Sequence, residues 1–89
     1  MNFKIYLVED DKNLNLILTT YLKNEGWEVT SIYTGGEALE KIKDQPDLWI
    51  LDIMLPDIDG YQIIKEIKSV NPNIPVIFIS ARDADIDKV

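Results

Sequence analysis

Three short and almost wholly apolar runs constrain this chain more than any other feature of its sequence. They are "IYLV" (residues 5–8), "LWILDI" (48–53) and "VIFIS" (76–80). None shows the in–out alternation of a strand with one wet face, so each reads as a strand buried on both sides. A fourth run, "WEVTSIY" (27–33), is more polar and carries Glu28, Thr30 and Ser31, which suits the edge of a sheet.

The segments between these runs are amphipathic. "DKNLNLILTTYLKNEG" spaces Leu14, Ile17, Leu18, Tyr21 and Leu22 along one predicted helical face, with Asp10 or Asp11 as cap and Gly26 as stop. "TGGEALEKIKD" opens on Thr34 with Glu37 three residues on, the spacing of a capping box, and would bury Ala38, Leu39 and Ile42. "YQIIKEIKSV" supplies a third helix with Tyr61, Ile64 and Ile67 inward. "ARDADIDKV" reads as a loop with one helical turn. Strands alternating with helices make a parallel sheet covered on both faces, and right-handed crossovers make it a doubly wound α/β fold.

Eighty-nine residues suffice for one small domain. The formal net charge of −7 comes with no cluster of Lys or Arg, which argues against direct nucleic-acid binding by this segment. There is no cysteine, so disulfides and thiolate metal sites are excluded and a cytoplasmic setting is expected. No run has the length of a membrane span or of a signal-peptide core.

In doubly wound sheets ligands bind beyond the carboxyl ends of the strands. Glu9 and Asp10 follow the first strand, Asp52 closes the third and Ser80 ends the fourth, so these side chains converge if strands one, three and four are neighbours. Two unit charges about 4 Å apart repel by roughly 4 kcal/mol at an effective dielectric of 20. Three clustered carboxylates therefore take up protons or a divalent cation. Mg²⁺ suits such a set, because it uses one or two carboxylates, retains waters and shares phosphate oxygens. A carboxylate beside it can attack phosphorus and form an aspartyl phosphate. Asp52 is the nucleophile candidate, being the single acid within a buried run, while Glu9 and Asp10 are the metal holders. Asp11 reads as a helix cap, and Asp57 and Asp59 as turn acids that are solvated or bond the local backbone. Trp27 and Trp49 read as packing residues, and Met54–Leu55 as exposed or half-exposed loop.

"YLVEDD", "LDIMLPDIDG" and "PVIFISAR" together resemble the receiver domain of bacterial two-component response regulators, of the OmpR/PhoB type with a winged-helix output domain. The resemblance covers the whole chain and implies a flavodoxin-like sheet in the order 2-1-3-4. It implies that Asp52 is the phosphoacceptor, fed by a phosphohistidine on a sensor histidine kinase. Asp10 would ligate Mg²⁺ directly, Glu9 would help through water, and the Met54 carbonyl would be a further ligand. Ser80 would bond a phosphoryl oxygen and move on activation, the Ala81 N–H would hold the same group, and Met54 and Arg82 occupy places that tune its lifetime. Activity beyond accepting and losing the phosphoryl group is not implied, so the domain is expected to be no enzyme in the ordinary sense.

Receivers of this family also carry a fifth strand, whose Lys pairs with the phosphoryl group and which holds an aromatic switch residue, and a fifth helix. The expectation is a receiver domain over 1–89, incomplete at its C-terminus, with the output domain absent and with Lys88 no substitute for the missing Lys. The fourth strand would then be an apolar edge, and the chain is expected to self-associate through it or by exchanging elements. Two rivals to a working phosphoacceptor exist. One is a receiver-shaped interaction or assembly module that is not phosphorylated. The other is a phosphohydrolase of the haloacid dehalogenase type, but that chemistry needs a second Asp where this chain has Met54.

Overall fold

Branched and aromatic residues fill the central strands because these lie between two layers of helix. The structure, a computed structural model, describes residues 3–79. Strand β1 (Lys4–Val8) leads to helix α1 (Lys12–Asn24), and β2 (Glu28–Ile32) to helix α2 (Gly35–Glu40). A 3-10 turn (Ile42–Asp44) precedes β3 (Leu48–Asp52), and helix α3 (Gly60–Val70) leads to β4 (Val76–Ile79). All pairings are parallel and the order is β2-β1-β3-β4, as expected. The last strand is described as far as Ile79, and Ser80 with the expected loop and turn after it lies outside the described residues.

The sheet separates two apolar clusters. Val8, Ile32, Trp49 and Leu51 meet Ala38, Ile42, Ile63 and Ile67 on the side of α2 and α3. Ile5, Leu7 and Val29 pack with Leu18, Leu22 and Ile50 on the side of α1. Trp49 is fully buried, and its ring meets that of Tyr6 edge-on at 5.2 Å. Trp27 is half-exposed and leans on Phe3.

Helix ends follow the residues expected of them. Asp11 caps α1 by accepting from the Asn13 and Leu14 N–H groups, and Gly26 ends it with a φ of 97°. Thr34 Oγ1 accepts from the Glu37 N–H, while Glu37 reaches back to the N–H of Tyr33 rather than that of Thr34. Ile42 is buried, but on the 3-10 turn and not on α2.

Two helix faces differ from expectation. Ile17 and Tyr21 are each 63% exposed, while Asn15 and Thr19 are buried in their place. Those polar side chains hydrogen-bond beneath the helix, where an apolar residue would strand backbone carbonyls. On α3, Ile63 and Ile67 face the core and Tyr61 turns outward against Phe78. Leu55 is buried, unlike its neighbour Met54.

Gly60 sets how closely α3 can begin behind β3. A Cβ there would stand 2.7 Å from Ile53 Cα and 2.9 Å from its carbonyl oxygen, to which the Gly60 N–H donates at 3.1 Å. Gly36 has no such crowding, its nearest contact being Asp57 at 3.7 Å. Gly60→Ala is expected to cost about 1–3 kcal/mol in urea unfolding through overpacking. Gly36→Ala is expected to change stability by no more than about 1 kcal/mol, in the favourable direction.

Candidate metal and phosphoacceptor site

The register of β1 against β3 runs Ile5↔Leu48 to Val8↔Leu51. One step further on, Glu9 follows Val8 as Asp52 follows Leu51. In a strand, alternate residues share a face, so Glu9 belongs with Ile5 and Leu7, and Asp52 with Leu48 and Ile50. Both acids therefore emerge on the α1 side at the carboxyl edge of the sheet. Asp10 joins them from the β1–α1 connection: one carboxylate oxygen from each of Glu9, Asp10 and Asp52 lies within 4.8 Å of the others. Glu9 and Asp52 are each 1% exposed, and Asp10 is half-buried.

Local hydrogen bonds aim these groups. The Met54 N–H donates to Asp52 Oδ1 at 2.9 Å, turning the carboxylate back over its own loop. The Asp11 N–H donates to Glu9 Oε2 at 2.9 Å. Glu9 Oε1 is buried with no hydrogen-bond partner among the described residues. Burial pushes the Glu9 carboxyl up to about 7; the Asp11 N–H opposes the rise, and the charges of Asp52 and Asp10 add to it.

A set of hard carboxylate oxygens, one of them buried and unsatisfied, fits a Mg²⁺ ion, which takes oxygen ligands and offsets the mutual repulsion of the acids. Of the sequence-predicted residues, the structure thus brings together Glu9, Asp10 and Asp52, with Met54 bonded to the last and its side chain half-exposed. Ser80, Ala81, Arg82 and Lys88 lie outside the described residues.

Asp59 bonds locally as expected, capping α3 through the Tyr61 N–H. Asp57 reaches further. Its carboxylate accepts from the Gly35 and Gly36 N–H groups at 3.0 Å each, tying the β3–α3 loop to the start of α2. Those two bonds hold its pKa below the usual carboxylate range. The only sequence signal was the "TGG" that leaves these N–H groups open to a visitor.

The chain belongs to the response regulator receiver domain family, whose model matches residues 5–89; such domains are the phosphoacceptor modules of two-component signalling, bind Mg²⁺ at an acidic site and interact with sensor histidine kinases. Among its relatives is the transcriptional regulatory protein CssR of Bacillus subtilis, 64% identical over 89 residues, which span all of this chain and 40% of that protein. The alkaline phosphatase synthesis transcriptional regulatory protein PhoP of the same organism is 36% identical over 90 residues, with 38% of its length covered. The chain thus spans about two fifths of these curated relatives. Among solved structures, the response regulator TrrA of Thermotoga maritima, in complex with Mg²⁺ and BeF, superposes with a TM-score of 0.85 at 31% identity, covering 100% of this chain and 77% of that one. The non-phosphorylated HemR receiver domain of Leptospira biflexa gives 0.82 at 30% identity, covering 96% and 69%. No helix among the described residues is long and apolar enough to cross a membrane.

The raised Glu9 pKa fixes the sign of a pH effect. Between about 4.5 and about 7 the folded chain holds a proton that the unfolded chain has released, so without metal stability falls as pH rises through that window. Asp57 acts at lower pH and in the opposite sense: its contribution is present above 3.8 and is lost as the pH drops further. Thermal unfolding in a chelator is expected to show the midpoint falling from about pH 4.5 to about pH 7. Added Mg²⁺, which favours the ionised acids, is expected to remove most of that fall.

Proposed function

We propose that Asp52 is the residue of this receiver that accepts the phosphoryl group, with Asp10, Glu9 and the Met54 carbonyl oxygen holding Mg²⁺ beside it. The observation that carries the reading is the meeting of Asp52 with Glu9 and Asp10 at the carboxyl edge, one acid retaining a buried, unpartnered oxygen. A carboxylate oxygen of Asp52 attacks phosphorus as the bond from phosphorus to the donor breaks. The donor is the imidazole nitrogen of a phosphohistidine on a sensor kinase, or the oxygen of a small acyl phosphate. Water later cleaves the aspartyl phosphate and releases inorganic phosphate.

When bound, Mg²⁺ neutralises charge on the carboxylates and on the phosphoryl oxygens. Met54 keeps the Asp52 carboxylate aimed through its N–H, and Glu9 and Asp10 supply the negative charge that attracts the cation. In this reading the Ser80 hydroxyl and the Ala81 N–H would contact the phosphoryl oxygens, as the resemblance of "PVIFISAR" to the family implies. We read this receiver as part of a cytoplasmic, DNA-binding transcriptional regulator in which phosphorylation biases a two-state surface, a reading supported by the transcriptional regulators among its relatives. The domain's own activity is confined to taking the group from small donors and losing it to water.

Incubation with acetyl phosphate and Mg²⁺ is expected to add one phosphoryl group by intact mass. The gain should vanish in Asp52→Asn and in chelator. A gain that survives Asp52→Asn, or none in a folded sample, overturns the assignment.

A second role, assembly, is favoured by one observation: among the described residues β4 pairs only with β3, and its Ile77 and Phe78 are 50% and 39% exposed. Edge strands with apolar faces recruit further strands. Self-association through β4, or by exchange of elements, is expected to appear in sedimentation velocity as a weight average that climbs with concentration. A concentration-independent monomer contradicts it.

A further inference from the structure

Beneath α1 runs a chain of buried polar groups whose direction follows from chemistry alone. The Asn15 amide nitrogen contacts two carbonyl oxygens, that of Glu9 at 3.0 Å and that of Ile32 at 3.3 Å. Carbonyl oxygens only accept, so the Nδ2 end must face them and Oδ1 must face α1. There it accepts the Thr19 hydroxyl at 3.0 Å. That hydroxyl has one proton and has spent it, so in its 2.8 Å contact with Ser31 it accepts. The order of donation is therefore Ser31 to Thr19 to Asn15 to the carbonyls of Glu9 and Ile32. Asn15 is 0% exposed and Thr19 is 7% exposed.

This chain ends on the backbone of an acid of the site. Glu9 is held at three points: its N–H donates to Ile32 O at 2.9 Å, its carbonyl accepts from Asn15, and its Oε2 accepts from the Asp11 N–H. With both backbone groups and one carboxylate oxygen fixed, the remaining oxygen, Oε1, is confined to the cluster with Asp10 and Asp52. Of these restraints only the amide of Asn15 comes from a side chain of another element, and Thr19 and Ser31 lock that amide from rotating.

We propose that Asn15 is a positioning residue for cation binding: its amide, braced by Thr19 and Ser31, holds the Glu9 backbone so that the three acids present a preformed site for Mg²⁺. The proposal rests on the reading of Glu9, Asp10 and Asp52 as the metal site. Partners behind the ligands of a metal commonly change its affinity by 10–100-fold when removed. Asn15→Leu keeps the volume and removes both the donors and the acceptor, leaving the Glu9 carbonyl without the amide. Thr19→Val keeps Asn15 and removes only its brace. Ile67→Val, in the opposite cluster, serves as a control for general loosening.

The test adds Mg²⁺ alone, stepwise, to the whole chain and follows the amide resonances of Glu9, Asp10 and Asp52, with urea unfolding in chelator run beside it. Asn15→Leu is expected to weaken Mg²⁺ binding about tenfold. Thr19→Val is expected to weaken it less but in the same direction, and Ile67→Val to lose stability without losing affinity. Wild-type affinity in a folded Asn15→Leu, or an equal loss in Ile67→Val, overturns the proposal. If Asn15→Leu fails to fold, Thr19→Val decides, and an unchanged affinity there overturns it. A wild-type chain with no saturable response would bring down the metal site itself and this proposal with it. A wild-type response that Asn15→Leu leaves intact brings down the proposal alone.

Discussion

The pairing of β1 with β3 is the constraint on which everything else depends. Parallel neighbours in register stand side by side on the same face, at a separation fixed by the hydrogen-bond ladder. The pair Val8↔Leu51 ends that ladder, and the next residue of each strand is an acid. Slipping the register by one would move Asp52 away from Glu9 and turn the apolar residues of one strand to the wrong cluster, so the core enforces the site. The closely packed clusters around Trp49 and around Leu7 supply the stability against which two buried carboxylates are tolerated.

Around that pair, the connections act as stops. Asp11 caps α1 and also turns its own N–H to Glu9, so helix start and acid orientation share one residue. Gly60 brings α3 against the backbone of Ile53, and Asp57 fastens the same loop to α2. The loop after Asp52 is thus held at both sides, with Met54 bonded to the carboxylate between them. What is left unsatisfied is an oxygen of Glu9, in the place where a cation would satisfy it.

Much of this was legible in the residues. Apolar runs without alternation announced buried parallel strands, and the acids at their ends announced the edge where chemistry would sit. Helix faces were less legible, because periodicity in apolar residues says nothing of which polar ones a buried carbonyl needs. For that reason Asn15 and Thr19 take the inner positions that apolar spacing alone gives to Ile17 and Tyr21. The longer reach of Asp57 is not legible, because the partners it adds are backbone N–H groups more than twenty residues away, which carry no signature of their own beyond two glycines. Leu55 was buried by a loop folding back, an outcome of tertiary packing that no short window contains.

The way Glu9 is held separates two quantities that usually vary together. Its main chain is anchored to β2 and α1, so the width of the gap facing Asp52 belongs to the scaffold. How far the carboxylate reaches into that gap belongs to the side chain alone, in increments of one carbon–carbon bond, about 1.5 Å. Position 9 is therefore a gauge with a discrete scale. Between glutamate and aspartate the same frame would set the carboxylate at two different depths in the gap, one methylene apart.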